Sequence, residues 1–535
     1  MHKTIAKLID TRDSDASLRA AANLVLERAK WASQTFLRYD RRHSQAIAEA
    51  VARVAHDKAG TYGDWAVKET GFGVAAHKKL KNELSSLPLV EHYRDWNFVD
   101  PVLDRDNGLV KIPRPAGVVF ALVPSTNPIA TIYFKVLSCL MTRNAIVLSP
   151  HPAARECCVD AVKALAQAAE AAGAPEAIIQ VIERPTIPLI EQFMRSEKTD
   201  VILATGGTAM VRAAYSSANP AIGVGPGNAP VYVDASADLK QAAARIVESK
   251  SFDNSVLCTN ESVLITTDEV MPGLGKHLRQ AGAYLCSEEE SHELRRYLFH
   301  ERGFNVEALG QSAAWIADKA GIKVNPKTKI LVTPIDKIGV EEPLSREKLC
   351  PVLGLFTAKS RPQAIAQARA LLRLAGAGHS AAIHATDQAA IMAFASQVEV
   401  YRVVVNAPCS QGAAGFASGL PPTFTIGTGF FGRSSIGENV GPQHLVHWTQ
   451  VAWGDGTAKE SDGGPPASLM GTALDHPGPL PEAPSDGVPG SPKPTPARGV
   501  GQGAGEVSLS DGDYDAVREE IRRIVIEELR SVLKD

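Results

Sequence analysis

The residue with the clearest potential for chemistry is a cysteine in a polar stretch between a helical run and an apolar strand. The stretch reads SKSFDNSVLCTNES over residues 249–262, and it places Cys258 at an element junction, where a side chain can face a cleft. A thiolate there could attack a carbonyl carbon if its pKa is lowered, its approach is open and donors stabilise the oxyanion. A single cysteine is more often structural, so both interpretations stay open.

Six further cysteines compete with Cys258 for a functional role. Three lie in predicted apolar helices, which indicates packing: Cys139, Cys157 and Cys158. Three lie in loops or at element ends, where composition does not distinguish a reactive thiol from a structural one: Cys286, Cys350 and Cys409. The set contains no CxxC pair and no Cys/His spacing suited to zinc, so neither a disulfide framework nor a metal site is expected.

Two polar residues could assist a nucleophilic thiol. Asn127, in PSTNP over residues 124–128, could donate its amide to an oxyanion, although an asparagine in that setting is more often a turn former. His379, in GAGHSAAIHA, could act as an acid or a base, or it could be a hydrogen-bonded core histidine. The residues alone leave both alternatives open for each side chain.

Two glycine-rich stretches could bring backbone N–H groups close to a ligand. TGGT, over residues 205–208, follows an apolar strand, and its glycines would let an anion approach a helix N-terminus. It is not the GxGxxG fingerprint of ordinary dinucleotide folds, so the motif is weak by itself. GVGPGN, over residues 223–228, offers a similar approach, although an ordinary turn would use the same residues.

The elements that would position these residues alternate between strand and helix. Residues 1 to about 95 have helical apolar periodicity, and from residue 115 short apolar runs alternate with helical ones. This alternation predicts a parallel sheet covered on both faces, with ligands at the carboxyl ends of its strands. A second α/β region runs from LKQAAARIVESK to about residue 430, so we expect two domains that meet at a cleft.

The bulk composition favours small-molecule chemistry. The chain has 535 residues, of which 44% are hydrophobic and 21% charged, enough for two or three domains. The formal net charge is -3 and no dense basic block is present, so neither nucleic acid nor a membrane is an expected partner. The N-terminus lacks a signal-like apolar core, and no segment is apolar over the roughly 20 residues of a membrane span, so we expect a soluble, cytoplasmic protein.

The composition changes sharply near the C-terminus. Residues 454–511 are rich in Gly and Pro and poor in apolar residues, which predicts a disordered linker. Residues 512–535 have apolar positions at helical spacing opposite a charged face, which predicts an amphipathic helix. The helix could fold back on its own body, lie on a membrane surface or dock on another protein, and the long tether favours docking.

Several of these stretches follow one another in an order that resembles a known family. PSTNP, SPHP, ILATGGTAMVRAAYSSANPAIGVGPGNAPVYVD, SFDNSVLC and REKLCPVLGL together resemble the aldehyde dehydrogenase superfamily, specifically its coenzyme A-acylating branch. The resemblance covers about residues 10–453. It implies an α/β fold in which a Rossmann-type cofactor domain adjoins an α/β catalytic domain.

The resemblance also implies roles for individual residues. Cys258 matches the catalytic thiol, and Asn127 matches the oxyanion-hole amide, joined there by the Cys258 backbone N–H. Thr205, Gly206 and Gly207 match the turn beside the cofactor pyrophosphate.

Two further matches concern the riboses of the cofactor. Glu347 matches the acid that holds the nicotinamide ribose, and Ser149 falls where hydrolytic members carry a lysine for the adenosine ribose. That departure leaves NAD versus NADP open, although NAD is usual for the acylating branch.

The most informative departure lies upstream of the cysteine. Hydrolytic relatives carry a glutamate there that activates water, and the same spacing, 34 residues before Cys258, lands on Val224. Without that base, the resemblance implies that NAD+ oxidises a small aliphatic aldehyde to a thioester on Cys258 and that coenzyme A then takes the acyl group, giving acyl-CoA and NADH. His379 could assist deprotonation of the coenzyme A thiol. The alternatives are a hydrolytic dehydrogenase and a catalytically silent scaffold recruited by its C-terminal helix.

The same resemblance implies roles for the C-terminal helix and for the segment before the linker. Microcompartment members of the branch carry a helix on a Pro/Gly-rich linker, which implies docking of residues 512–535 on shell or cargo proteins inside a bacterial microcompartment. GPQHLVHWTQVAW resembles the segment with which the superfamily builds oligomers, so we expect a homo-oligomer. The predicted organisation has five parts: N-terminal helices with the NAD-binding domain (1–235), a catalytic domain (236–432), an oligomerisation segment (433–453), the linker (454–511) and the helix (512–535).

Overall fold

The computed structural model describes residues 15–104, 106–300 and 303–452. The predicted linker and the predicted C-terminal helix lie outside the described residues. Within the described ranges, no helix combines the length and the hydropathy that crossing a bilayer requires. Those ranges also contain no group of three or more His, Cys, Asp or Glu side chains arranged to hold a metal ion.

Five helices come first, as the apolar periodicity predicts: α1 (Asp15–Phe36), α2 (Arg41–Asp57), α3 (Ala59–Thr70), α4 (Ala75–Leu84) and α5 (Leu87–His92). Asp40 caps α2 by accepting a hydrogen bond from the backbone N–H of His43. Helix α4 departs from the usual pattern, because its buried residues are Lys78, Lys81 and Asn82. Leu80, on the same helix, is 39% exposed.

A three-stranded antiparallel sheet pairs the last described strand with the two strands that follow the N-terminal helices. It contains β1 (Val102–Asp104), β2 (Leu109–Pro115) and β17 (Val446–Ala452), in the order β1-β2-β17. Strand β17 comes from GPQHLVHWTQVAW and pairs with β2 from Val446 opposite Pro115 to Ala452 opposite Leu109. The segment expected to build oligomers is therefore an edge strand of this sheet.

A five-stranded parallel sheet follows, in the order β5-β4-β3-β6-β7. Its strands are β3 (Val118–Val123), β4 (Ala145–Pro150), β5 (Ile179–Val181), β6 (Val201–Thr205) and β7 (Ala221–Val224). The helices around it are α6 (Pro128–Met141), α7 (Arg155–Ala171), α8 (Ile187–Arg195) and α9 (Thr208–Tyr215). Every residue of α6 is buried, as expected for a helix between a sheet and a helical layer.

A seven-stranded parallel sheet forms the second region, in the order β10-β13-β14-β9-β8-β15-β16. Its strands are β8 (Ala229–Val233), β9 (Glu261–Thr267), β10 (Ala283–Leu285), β13 (Ile330–Pro334), β14 (Val352–Ala358), β15 (Ala381–His384) and β16 (Val403–Val405). Between β10 and β13, β11 (Phe299–His300) and β12 (Gly303–Phe304) pair with each other. The remaining helices are α10 (Leu239–Ser251), α11 (Met271–Ala281), α12 (Glu288–Leu298), α13 (Ala313–Lys319), α14 (Arg361–Leu374), α15 (Gln388–Ala395) and α16 (Cys409–Gly412).

The two parallel sheets confirm the predicted α/β class. Alternate residues of β9 enter different cores, with Val263 and Ile265 on one face of the sheet and Leu264 on the other, as a sheet covered on both faces requires. The sequence analysis missed β7, whose last two residues belong to GVGPGN. This strand has four residues and ends in a glycine-rich turn, so its apolar run is too short to recognise.

Candidate active site

Cys258 lies in a tight loop between α10 and β9. The loop begins with a 3-10 turn, Phe252–Ser255, in which three consecutive residues adopt left-handed backbone angles. Asp253, Asn254 and Ser255 have φ of 51°, 49° and 65°. Asp and Asn tolerate this conformation better than most side chains, which explains how DNS reverses the chain immediately before the cysteine.

Exposure separates Cys258 from the other cysteines. It is partly exposed, whereas the other six are all buried: Cys139, Cys157, Cys158, Cys286, Cys350 and Cys409. A nucleophile needs an open approach, so the described structure favours Cys258 over the three loop cysteines that composition left open.

The surroundings of Cys258 disfavour its thiolate. Burial of the sulfur and, secondly, the charge of Glu347 raise the pKa of Cys258 to about 12, against the weaker favourable effects of its own backbone N–H, Arg402 and Lys81. Although part of the residue is accessible, its sulfur is therefore in a dense, poorly solvated environment. The thiol is protonated at neutral pH, and attack on a carbonyl requires removal of that proton.

Asn127 occupies the N-cap position of α6, directly before Pro128. An N-cap asparagine commonly accepts a hydrogen bond from the helix backbone, but this side chain makes no such bond. Its Oδ1 accepts a hydrogen bond from Lys81 at 2.5 Å, and its Nδ2 lies 3.4 Å from the carbonyl oxygen of Val256. The amide is therefore held against the cysteine loop instead of capping its own helix.

Gly227 separates the cysteine loop from Glu347. A Cβ at residue 227 would lie 1.9 Å from the carbonyl oxygen of Cys258 and 3.3 Å from Glu347 Oε1, so only glycine fits. The backbone N–H of Gly227 donates to Glu347 Oε1 at 3.2 Å. Burial raises the pKa of Glu347 to about 8, opposed by the Gly227 N–H and by Lys250 and Lys348.

Val224 is the last residue of β7 and is 4% exposed. It pairs in the sheet with Thr205. No carboxylate therefore stands at the position that would hold a water-activating glutamate. Glu347 is the carboxylate that contributes to the pKa shift of Cys258, and its own raised pKa leaves it largely protonated at neutral pH, a poor base for water.

The expected cofactor residues lie at the carboxyl ends of β4 and β6. Ser149 Oγ and Thr205 Oγ1 are both buried without a hydrogen-bond partner among the described atoms. Gly206 and Gly207 precede α9, and a Cβ at residue 207 would meet nothing within 4 Å. Two unpaired hydroxyls at the carboxyl ends of parallel strands, one of them directly before the N-terminal turn of α9, fit a dinucleotide, because its riboses and pyrophosphate need hydrogen-bond partners.

His379 is fully buried, and its Nδ1 lies 2.9 Å from Ser380 Oγ. Burial and, secondly, the charge of Arg402 lower the pKa of His379 to about 3, so the ring is neutral at physiological pH. Its Nε2 has no hydrogen-bond partner among the described atoms. This environment favours the core histidine of the two alternatives, and an acid–base role stays a prediction.

Four charged residues near the site were missed by the sequence analysis: Lys78, Lys81, Asp253 and Arg402. Arg402 is buried, and its Nη2 donates to the carbonyl oxygens of Gly427, at 2.5 Å, and Gly437. Charged residues in a sequence are ordinarily solvent-exposed, so their types and spacing give no signal of burial.

The comparison with protein families agrees with the geometry. The model of the aldehyde dehydrogenase family matches residues 14–453. An aldehyde-alcohol dehydrogenase of Clostridium acetobutylicum is 40% identical over 430 residues, which are 79% of this chain and 50% of that protein. This chain thus spans about half the length of that relative. The acetylating succinate-semialdehyde dehydrogenase of Clostridium kluyveri is 34% identical over 437 residues, 81% of this chain and 96% of the relative.

Solved structures extend the same comparison. An acetylating aldehyde dehydrogenase from Geobacillus thermoglucosidasius superposes with a TM-score of 0.81 at 37% identity, covering 83% of this chain and 98% of that chain. A propionaldehyde dehydrogenase from Rhodopseudomonas palustris, with bound CoA and an acylated cysteine, gives 0.73 at 28% identity, covering 80% and 96%. A propionaldehyde dehydrogenase from the Clostridium phytofermentans fucose utilisation bacterial microcompartment superposes with a TM-score of 0.72 at 28% identity, covering 80% of this chain and 96% of that chain. The chain belongs to the aldehyde dehydrogenase family, and these relatives confirm its resemblance to the coenzyme A-acylating branch.

Proposed function

We propose that this protein oxidises a small aliphatic aldehyde with NAD+ and transfers the acyl group to coenzyme A. The proposal is carried by the combination of a partly exposed Cys258 with an apolar Val224 at the position where hydrolytic relatives have their base. The acetylating relatives support the same chemistry, as does the Rhodopseudomonas palustris enzyme with CoA and an acylated cysteine.

The reaction follows from the side chains at the site. The sulfur of Cys258 loses its proton to solvent water and bonds to the aldehyde carbon. The carbonyl oxygen becomes an oxyanion that accepts hydrogen bonds from Asn127 Nδ2 and the Cys258 N–H. Loss of hydride from that carbon restores the carbonyl group and leaves a thioester on Cys258. The thiolate of coenzyme A then attacks the thioester, and Cys258 leaves as the thiolate.

The residues at the carboxyl ends of β4 and β6 would hold NAD+. Ser149 and Thr205 would offer hydroxyls to it, and the N–H groups after Gly206 and Gly207 would face its pyrophosphate. Glu347 would hold the nicotinamide ribose. When bound, NAD+ supplies the hydride acceptor.

We also propose a homo-oligomer that assembles through the 433–453 segment and resides in a bacterial microcompartment. The edge position of β17 supports assembly, because an unpaired strand edge can pair with a second copy. The relative from the fucose utilisation microcompartment supports the location. Residues 512–535 would dock on shell or cargo proteins.

Trapping the intermediate tests the proposed chemistry. Incubation with propanal and NAD+ without coenzyme A should add the mass of one propionyl group to Cys258, measured by intact-protein and peptide mass spectrometry. Coenzyme A should then remove the group and yield propionyl-CoA. Cys258→Ala should acquire no acyl group, whereas Cys409→Ala, which removes a buried cysteine, should still be acylated. Acylation elsewhere, or a thioester that coenzyme A does not discharge, would contradict the proposal.

A further inference from the structure

The buried face of α4 consists of polar and charged side chains. Lys78 is 3% exposed and Lys81 is 2% exposed, although a buried lysine is costly unless it is well paired. Burial lowers the pKa of Lys81 to about 8, opposed by the charge of Asp253. An apolar residue would pack here without that cost, so the two lysines need an explanation beyond packing.

The contacts of Lys81 connect the two halves of the site. Its Nζ donates to Asn127 Oδ1 at 2.5 Å and also to Asp253 Oδ2. Asn127 lies on the five-stranded-sheet side, and Asp253 begins the loop that carries Cys258. A single ammonium group thus contacts both the oxyanion amide and the cysteine loop.

The first contact decides which atom of the Asn127 amide faces the cysteine loop. A lysine ammonium group only donates hydrogen bonds, so the amide atom opposite Lys81 must be the oxygen. The amide nitrogen is thereby directed away from Lys81, and it lies 3.4 Å from the carbonyl oxygen of Val256, two residues before Cys258. A rotated amide would present oxygen to the developing oxyanion and repel it.

The second contact fixes the loop itself. Asp253 Oδ1 accepts a hydrogen bond from the Val74 N–H at 2.6 Å, and the Asp253 N–H donates to His77 Nδ1 at 2.9 Å. Asp253 Oδ2 also accepts from Lys78 at 3.2 Å. Although burial opposes its ionisation, Lys81 and Lys78 hold the pKa of Asp253 below its ordinary value. Several hydrogen bonds therefore hold the left-handed turn before Cys258 against α4 and its N-cap residue.

We propose that Lys81 is a positioning residue that fixes the orientation of the Asn127 amide and ties it to the cysteine loop through Asp253. The proposal rests on the proposed role of Asn127 as an oxyanion donor. Lys81 need not touch the aldehyde, because it acts through the amide that does.

A double-mutant cycle measures this coupling. Lys81→Met removes the donor with little change of volume, and Asn127→Ala removes the oxyanion amide. Loss of one oxyanion donor typically slows catalysis roughly 100- to 1,000-fold, and we expect Lys81→Met to lower the rate of Cys258 acylation roughly 10- to 100-fold. If Lys81 acts through Asn127, the double variant should be about as slow as Asn127→Ala alone.

The assay should not depend on the proposed acyl acceptor. We would measure the burst of p-nitrophenolate when Cys258 takes the acetyl group from p-nitrophenyl acetate, because this attack forms the same oxyanion without NAD+ or coenzyme A. A Cys258-dependent burst in a protein that transfers no acyl group to coenzyme A would refute the proposed function while leaving the role of Lys81 measurable.

Two variants separate positioning from mere stability. Lys78→Met removes a buried lysine that contacts Asp253 and the Thr126 carbonyl but not the Asn127 side chain, so it should lower Tm similarly and slow the burst much less. Lys81→Gln keeps a side-chain donor and should recover part of the lost rate. The proposal would be overturned if the losses of burst rate multiply in the double variant or are equal for Lys78→Met and Lys81→Met. It would also be overturned if Lys81→Met alone fails to fold.

Discussion

Burial holds the thiol of Cys258 in its protonated form, and the charge of the nearby Glu347 adds to this effect once that carboxyl group ionises. Arg402 and Lys81 favour the thiolate but do not offset these effects. Without ligands this thiol is therefore in a less reactive state, in contrast to cysteines whose pKa lies below neutrality.

This state predicts a steep pH dependence of thiol alkylation. In the absence of NAD+, the rate at which iodoacetamide alkylates Cys258 should keep rising with pH to at least about pH 10, because a thiol with a pKa of about 12 stays mostly protonated throughout that range. Modification is read by peptide mass spectrometry, and Cys258→Ser reports labelling elsewhere. A plateau by about pH 9 would show a thiol with an ordinary or lowered pKa.

At this scale the sequence pointed to the two residues proposed to react, but not to the residues that contact them. Cys258 and Asn127 were recognisable because they stand in ordered motifs, and the structure brings their loops together. Lys81 and Asp253 were not, because nothing in AAHKKLKNEL or SFDNSVLC distinguishes a buried ion pair from a solvated one.

Two elements bring the site together, and neither follows the pattern expected for its type. Helix α4 buries lysines and exposes Leu80, so its amphipathic pattern would predict burial of the wrong face of the helix. The turn after β7 brings Gly227 against the carbonyl of Cys258, a contact between segments distant in sequence. Such tertiary contacts override local patterns, which is why the alternating strands were predictable and these two features were not.

The turn after β7 gives a prediction at the scale of an element. Gly227→Ala should lower kcat by tenfold or more, because the added methyl group would displace the cysteine loop and small displacements of reacting groups cost up to about 100-fold. Gly225→Ala is the matched control, since a Cβ at residue 225 would meet nothing within 4 Å. Steady-state kinetics and Tm of both variants provide the measurement, and similar kcat values would contradict the close approach.

The whole molecule places its candidate site where loops from the two parallel sheets meet. The five-stranded sheet carries Asn127, Ser149 and the turn at residues 205–207, whereas the loops before β9 and β14 of the seven-stranded sheet carry Cys258 and Glu347. The two α/β regions were predictable from alternating strand and helix patterns over long stretches. The boundaries of the five predicted parts stay predictions, as does the role of the C-terminal segments, which lie outside the described residues.

The tail hypothesis gives a prediction at the same scale. Deletion of residues 506–535 should leave kcat nearly unchanged and abolish co-purification with shell proteins, because docking and catalysis would reside in separate parts of the chain. Replacing apolar positions in the full-length protein, as in Ile524→Ser with Leu529→Ser, should have the same effect. Arg522→Ser, on the predicted charged face, should leave co-purification with shell proteins unchanged. Unaltered recovery with shell proteins after deletion would refute the targeting role.

The fate of the acyl group tests the central claim most directly. NADH formation from propanal should be measured with and without coenzyme A, and the product identified by mass spectrometry. We expect steady-state turnover to require coenzyme A and to yield one propionyl-CoA per NADH, because residue 224 is a valine and supplies no carboxylate to activate water against the proposed thioester. Equal rates in the absence of coenzyme A, with propionate as the product, would contradict the claim and identify a hydrolytic enzyme.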